Sequence, residues 1–180
     1  MSQRPGRTTP VRGLLPVVCG LCAVAGCASG APPETPDGLA VVLAIVDGDT
    51  IDVAVGNREE RVRLIGIDTP EIAHPALGER PPNDAECFSD EARIFTSELL
   101  AVGSEVRLAR DIVARDDYGR LLAYVYRASD GAFVNFEIVR HGFAQPLTIA
   151  PNTTFVSLFV DAARAAERDD VGLWSACRGQ

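Results

Sequence analysis

Residues 39–71 read LAVVLAIVDGDTIDVAVGNREERVRLIGIDTPE, and this stretch decides the fold. Leu39–Asp47 is an apolar run rich in Val and Ile, the composition of a buried strand. Thr50–Val55 alternates as a second strand, and Gly56-Asn57 is a hairpin turn pair leading to a third over Glu60–Ile67. Successive strand side chains point to opposite faces, so Arg61 and Arg63 share one face, and Val62 and Leu64 the other.

Downstream, residues 73–83 hold His74, Pro75, Gly78, Pro81, Pro82 and Asn83 and read as a loop. Asn83 or Asp84 is placed to cap a helix with Phe88, Ala92, Phe95 and Leu99 on its buried face, stopped by Gly103. Strands over Glu105–Val113 and Leu121–Arg127 follow, then a turn at Ser129-Asp130-Gly131. A short helix spans Val134–His141 and stops at Gly142; a final amphipathic helix over Thr153–Arg168 turns Phe155, Phe159 and Ala163 inward. Three strands, a helix, two strands and two helices predict an α+β domain: a five-stranded Greek-key barrel of OB-fold type with three helices, over residues 39–180.

Upstream the chain reads differently. Arg4, Arg7 and Arg12 precede an apolar run of 12 residues, Leu14–Ala25, too short to span a bilayer and suited to a signal peptide. Val24-Ala25-Gly26-Cys27 resembles a bacterial lipobox, which predicts cleavage after residue 26 and lipid on Cys27; an ordinary cleavage site with an incidental Cys is the alternative. Residues 28–38 (ASGAPPETPDG) form a flexible tether. The mature protein is expected to be exported and lipid-anchored to the cell membrane, facing away from the cytoplasm. Of five cysteines, Cys19 and Cys22 leave with the leader and Cys27 takes lipid. Cys87 and Cys177 remain, an even pair in an oxidising compartment, and read as a disulfide, with two buried thiols as the alternative.

Hydrophobic residues make up 47% of the 180, which excludes whole-chain disorder. The net charge is -8, the wrong sign for a tight nucleic-acid binder but compatible with an enzyme that must release its product. Loss of residues 1–26 removes three of the 17 basic residues and no acids, leaving 14 against 25, or -11. All the Lys+Arg positions are Arg, so each can offer a planar fork to phosphate.

Three clusters carry chemistry. Asp47-Gly48-Asp49-Thr50 and Asp68-Thr69-Pro70-Glu71 each read singly as a turn. Pairing of the second and third strands brings them to one end of a hairpin. Two carboxylates and a carbonyl converging there make a hard-oxygen site suited to Ca²⁺; no Cys/His spacing for zinc accompanies them. Arg115-Asp116-Asp117-Tyr118-Gly119-Arg120 reads as a hairpin loop with Gly119 at positive φ, or as a loop that sets Arg120 beside the metal as a phosphate clamp.

In order and in compatible spacing from Val41 to Trp174, the motifs Val46-Asp-Gly-Asp-Thr50, Arg63-Leu64, Ile67-Asp-Thr-Pro-Glu71, Asp117-Tyr-Gly-Arg-Leu-Leu-Ala-Tyr124 and Gly172-Leu-Trp174 resemble the staphylococcal (micrococcal) nuclease, or thermonuclease, family. The resemblance implies an OB-fold enzyme that cuts DNA and RNA with Ca²⁺ and leaves 3′-phosphates. It implies Asp49, Asp68 and the Thr69 carbonyl as metal ligands, Glu71 as general base, Arg63 and Arg120 as phosphate grips, and Tyr118 as a nucleotide contact, with Asp47 structural. The chain departs from that pattern at Asp117, where known members carry Lys, and over Pro146–Pro151, which lacks the expected base-facing tyrosines. Weaker nucleotide affinity or looser base preference is the expectation.

His74 reads as a surface residue, His141 as a partner of a helix C-terminus, Tyr124 and Tyr126 as sheet packing, and Trp174 as a plug on the barrel. The competing functions are a non-catalytic OB-fold lipoprotein that binds nucleic acid or another ligand, and a structural envelope lipoprotein with a decayed site. Nothing in the sequence demands an oligomer, so a monomer is expected.

Overall fold

The computed structural model describes residues 39–76 and 81–179. The expected leader, Cys27 and the tether lie outside these residues. Among the described residues no helix is long and apolar enough to cross a membrane.

The hairpin that the sequence announces forms as β1 (Ala40–Asp47), β2 (Thr50–Val55) and β3 (Arg58–Leu64). Val42, Ile51, Val53, Val62 and Leu64 point into the barrel and are buried. β1 was expected to be buried throughout. Instead its pairing with β2 slips twice, between Val42 and Ala44 and between Ile45 and Asp47, and Leu43 reaches the surface. Such bulges bend a strand, which closing a small barrel requires. The β2–β3 pairing is regular and sets Thr50 opposite Arg63.

β3 stops at Leu64, short of the expected Ile67, because the chain turns at Gly66 with φ +83. An ideal Cβ there would lie 2.5 Å from a ring carbon of Phe159, so the turn needs both the glycine's backbone freedom and its bare face. The next two residues, β4 (Ile67–Asp68), leave the barrel.

The helix α1 (Ser89–Leu99) starts later than expected. Asn83 and Asp84 do not cap it: Asn83 pairs through its backbone and side chain with His74. The chain turns into the helix at Phe88, which has φ 71 and makes no side-chain cap bond. Then come β5 (Glu105–Ala109), β6 (Leu121–Arg127), α2 (Val134–Arg140), β7 (Gln145–Pro146), α3 (Val156–Arg168) and α4 (Leu173–Ala176). β5 ends before the expected Val113, where Asp111 instead accepts hydrogen bonds from the Tyr124 hydroxyl and the Thr154 amide. The one-turn α4 is additional to the three helices expected.

The barrel closes in the order β1-β2-β3-β6-β5, with β3 and β6 parallel and the other neighbours antiparallel. This is the five-stranded OB-fold barrel of the sequence reading. α2 and α3 cover it with Val134, Ile138, Val139, Phe159 and Ala163. Tyr124 meets Phe155 edge-on at 4.7 Å between centroids, and Phe159 is 1% exposed. Burial of a Phe of that kind contributes about 2–3 kcal/mol. A disulfide joins Cys87 to Cys177 across 90 residues and ties the segment after α4 to the start of α1. In the chain-entropy account, a loop of that length is worth about 4.6 kcal/mol.

Candidate active site

The register of the hairpin builds the first wall. Asp49 immediately precedes Thr50, and Thr50 faces Arg63, so the carboxylate meets the guanidinium across the pair. Asp49 Oδ2 forms an ion pair with Arg63 Nη2 at 3.0 Å and accepts a hydrogen bond from the Thr69 amide at 2.9 Å; Oδ1 accepts from the Thr50 hydroxyl. Arg63 Nη2 also donates to Asp68 Oδ1 at 2.7 Å, while Nη1 donates to the Leu64 and Ile67 carbonyls. The guanidinium thus sits in a cage of two carboxylates and two carbonyls, which its planar fork satisfies and a point-charge ammonium would not. β4 pairs with β7, Asp68 opposite Gln145, and this fixes the backbone of the second carboxylate.

The Asp47-Gly48-Asp49 turn is clamped from both sides. A Cβ on Gly48 would stand 2.7 Å from Thr69 Oγ1, so Thr69 can close over this turn only because the residue is Gly. From α1, Thr96 donates its hydroxyl to the Gly48 carbonyl at 2.6 Å, in a fully buried bond.

Asp47 is buried, and burial pushes its carboxyl up to about 7. The Gly48 amide, donating to Oδ1 at 2.8 Å, works against that rise; a hydrogen bond with the Glu71 carboxyl and the charges of Asp49 and Glu71 reinforce it. The Asp47 carboxyl is therefore in hydrogen-bond contact with that of Glu71. Asp68 is also raised, first by burial and then by Asp49, Glu71 and Glu86, with Arg63 opposing.

The second wall is the loop before β6. Parallel pairing of β3 with β6 sets Leu121 beside Val62 and Leu122 beside Arg63, which carries Arg120 to the same end of the barrel. Between the walls lies a cleft of about 550 Å³, with Arg63, Asp68 and Glu71 on one side and Asp117, Tyr118 and Arg120 on the other. Asp116 organises this loop. Its Oδ1 accepts from the Tyr118 and Arg120 amides, and its Oδ2 from Arg120 Nε at 2.7 Å. Burial works to raise the Asp116 carboxyl, but the bonds from Arg120 and Tyr118 hold it below its ordinary value. Tyr118 is 86% exposed, with the Arg120 guanidinium 5.5 Å from its ring centroid. Arg115 is committed elsewhere, in a two-pronged bond to Glu60. Gly119 has φ +81, as the loop reading expects.

Asp49, Asp68, Thr69, Arg63 and Glu71 thus come together, with Arg120 and Tyr118 facing them across the cleft. The donor chemistry fits a hard cation: the Asp49 and Asp68 carboxylates both reach Arg63 Nη2 and so lie within one small space, and the buried Thr69 Oγ1 has no hydrogen-bond partner. Among the described residues no three of His, Cys, Asp and Glu form a metal cage, so a cation held here would complete its shell with the Thr69 carbonyl, water and substrate oxygens. His74 and His141 stand apart, His141 Nδ1 lying 2.9 Å from the Glu137 carbonyl at the end of α2. Tyr126 stacks on Phe133, and Trp174 packs against the core.

Three contributors escaped the sequence reading. Asp116 looked like one more turn acid. Glu86, whose side chain accepts from the Glu71 amide, sits in a loop with no periodicity. Thr96 did carry a signal: it falls on the apolar stripe of α1, one turn after Ala92, where a polar residue calls for a partner.

Comparison with known proteins gives concordant results. The family described as staphylococcal nuclease homologue matches residues 61–176. The Thermonuclease of Staphylococcus intermedius is 33% identical over 134 residues, 74% of this chain and 74% of that protein. The Thermonuclease of Staphylococcus hyicus is 31% identical over 134 residues, again 74% of each chain. Endonuclease YhcR of Bacillus subtilis is 33% identical over 144 residues, which are 75% of this chain but 11% of that much longer protein.

Proposed function

From the premise that this chain belongs to the staphylococcal nuclease family, we propose that it is a calcium-dependent phosphodiesterase acting on DNA or RNA, exported and anchored by lipid on Cys27. The observation that carries the reading is the convergence of Arg63, Asp49, Asp68 and Glu71 on one wall of a cleft whose other wall presents Arg120.

Asp49, Asp68 and the Thr69 carbonyl would hold the cation, and Ca²⁺ bound there would supply positive charge to the phosphate oxygens. Arg63 and Arg120 donate to the same phosphate from opposite sides, Arg63 as its Nη2 leaves Asp49 and Asp68 for the phosphate, and their bonds strengthen as charge builds on its oxygens. Arg120 is bound to Asp116 through Nε, so its terminal nitrogens are the ones directed to substrate. Glu71 accepts a proton from the attacking water. Below about pH 7 Asp47 carries a proton of its own and donates it to Glu71, which fixes the orientation of that carboxylate. Water adds to phosphorus, the bond to the 5′ oxygen breaks, that oxygen takes a proton from solvent water and leaves as the 5′ hydroxyl, and the 3′ side keeps the phosphate.

The cleft floor near Leu147, Ile149 and Pro151 is aliphatic. Bases can pack there, but without an aromatic plane each forgoes about 1–3 kcal/mol of stacking. Weak base discrimination follows, and the acidic Asp117 at the rim disfavours a terminal phosphate.

The test is digestion of single-stranded DNA by the purified protein with Ca²⁺ and with EDTA, and by Glu71→Gln and Arg63→Ala. EDTA should abolish cutting, and each substitution should lower kcat by about 10² or more. Calcium-independent cutting, or variants as fast as the parent, would remove the assignment; nucleic-acid binding without cutting would favour a binding module.

A further inference from the structure

Glu71 is held by its backbone as well as by its carboxyl. Its amide donates to Glu86 Oε2 at 3.1 Å, and its carbonyl accepts from the Glu86 amide at 2.9 Å. His74 and Asn83 exchange backbone hydrogen bonds in the same antiparallel register. The residue after Glu86 is Cys87, bonded to Cys177. Cys177 in turn follows α4, which docks through the Leu173 amide on the Gly142 carbonyl at 2.8 Å. Next to Cys87, Phe88 stacks on Phe143 at 5.2 Å. The partner of Glu71 is therefore moored covalently to the C-terminal segment and by aromatic contact to the end of α2, although the loop carrying it has no regular structure of its own.

We propose that Glu86 is a positioning residue for Glu71 and that the Cys87–Cys177 disulfide moors it, so that the turnover of this enzyme depends on the oxidation state of that disulfide. The proposal rests on the reading of Glu71 as the group that takes the water's proton. A base must lie within hydrogen-bond reach of the water it deprotonates, and a displacement of about 1 Å can cost up to 10² in rate. Asp49, Asp68 and Arg63 are carried by the barrel hairpin and β4, and none of them hydrogen-bonds to Glu86. Loss of the mooring should therefore act on kcat and leave KM in place. Reduction by a dithiol breaks the sulfur–sulfur bond, leaves two cysteine thiols and oxidises the reagent to its own disulfide.

The experiment measures kcat and KM of the full chain on single-stranded DNA at saturating Ca²⁺, with far-UV circular dichroism as a check on folding. Glu86→Ala removes the acceptor for the Glu71 amide; Glu86→Gln keeps one, in its amide oxygen. The expected result is a fall in kcat of about ten-fold or more for Glu86→Ala at nearly constant KM, with Glu86→Gln within about two-fold of the parent. Reduced parent protein, its two thiols confirmed by titration, should slow in kcat, and reduction should add little to the defect of Glu86→Ala, because coupled groups are not additive. Glu86→Ala at parental kcat, Glu86→Gln as slow as Glu86→Ala, or full activity after reduction would each overturn the proposal. Glu71→Gln separates it from its premise: a slow Glu71→Gln beside a normal Glu86→Ala rejects the mooring alone, whereas a fast Glu71→Gln rejects the role of Glu71.

Discussion

Arg63 spends one terminal nitrogen on two carboxylates, and Asp49, one of the two, has a side chain only 3% exposed. Truncation of the arginine strands a buried charge, which typically costs 3–5 kcal/mol. Arg63→Ala should therefore show a lower denaturant midpoint in EDTA as well as lost activity, while Arg63→Lys keeps the charge but loses the fork. If the midpoint of Arg63→Ala matches the parent, Asp49 does not depend on this pairing. Asp47 gives a pH-dependent counterpart. In the folded chain it keeps its proton to about 7, against 3.8 for the free carboxyl. Between those values the folded state binds more protons than the unfolded, so this group's contribution to stability is complete below the window and is lost as pH rises through it. Asp47→Asn, which cannot titrate but keeps an acceptor for the Gly48 amide, should lose less stability than the parent between about pH 4 and 8 in EDTA. Equal losses in parent and variant would place the pH sensitivity elsewhere.

At the scale of elements, the site depends on how turns are held from outside. The β1–β2 turn hangs from α1 by the Thr96 hydroxyl on the Gly48 carbonyl. Thr96→Val preserves shape and removes the donor, leaving a buried carbonyl alone at a cost of about 1–3 kcal/mol. The expected readout is a lower denaturant midpoint together with reduced activity at limiting Ca²⁺, since the turn carries Asp49. The β3–β4 turn depends on packing of α3: Gly66→Ala would force a Cβ into Phe159 at a residue with φ +83. Overpacking of that kind costs about 1–3 kcal/mol, and strain adds to it. A variant as stable as the parent would mean that α3 can retreat without loss. The hairpin and its hydrophobic faces were legible in residues 39–64, because strand alternation and turn residues are local signals. The late start of α1 was not, because Asn83 is taken by its pairing with His74 across a loop and Cys87 by a disulfide to a residue 90 positions away.

The whole molecule carries a net charge of -8, and its arginines are largely paired with carboxylates: Arg61 with Asp52, Arg115 with Glu60, Arg120 with Asp116, Arg127 with Asp130. Nucleic acid approaching such a surface meets net repulsion at long range. A basic nuclease loses substrate affinity steeply as salt rises, through counterion release. Here screening of the overall repulsion opposes that loss, so KM for single-stranded DNA should change little between about 20 and 200 mM monovalent salt at fixed Ca²⁺. A steep rise of KM across that range would show that local phosphate contacts dominate and that net charge is irrelevant to encounter.

By itself the sequence determined the five-stranded barrel class, the first hairpin and the types of group at the site, because alternation, turn glycines and spaced acid–arginine motifs are written in short segments. It also placed the Asp47–Thr50 and Asp68–Glu71 clusters at one end of a hairpin, since pairing of the second and third strands brings the acids before one and after the other together. Tertiary structure alone decided what lies across from that wall and what holds it. The parallel β3–β6 pairing brings Arg120 to the cleft, Asp116 and Glu86 orient the groups beside them, and Thr96 reaches in from another element. Each of these is one polar contact whose partner comes from a separate turn, loop or element, and no periodicity marks it in advance.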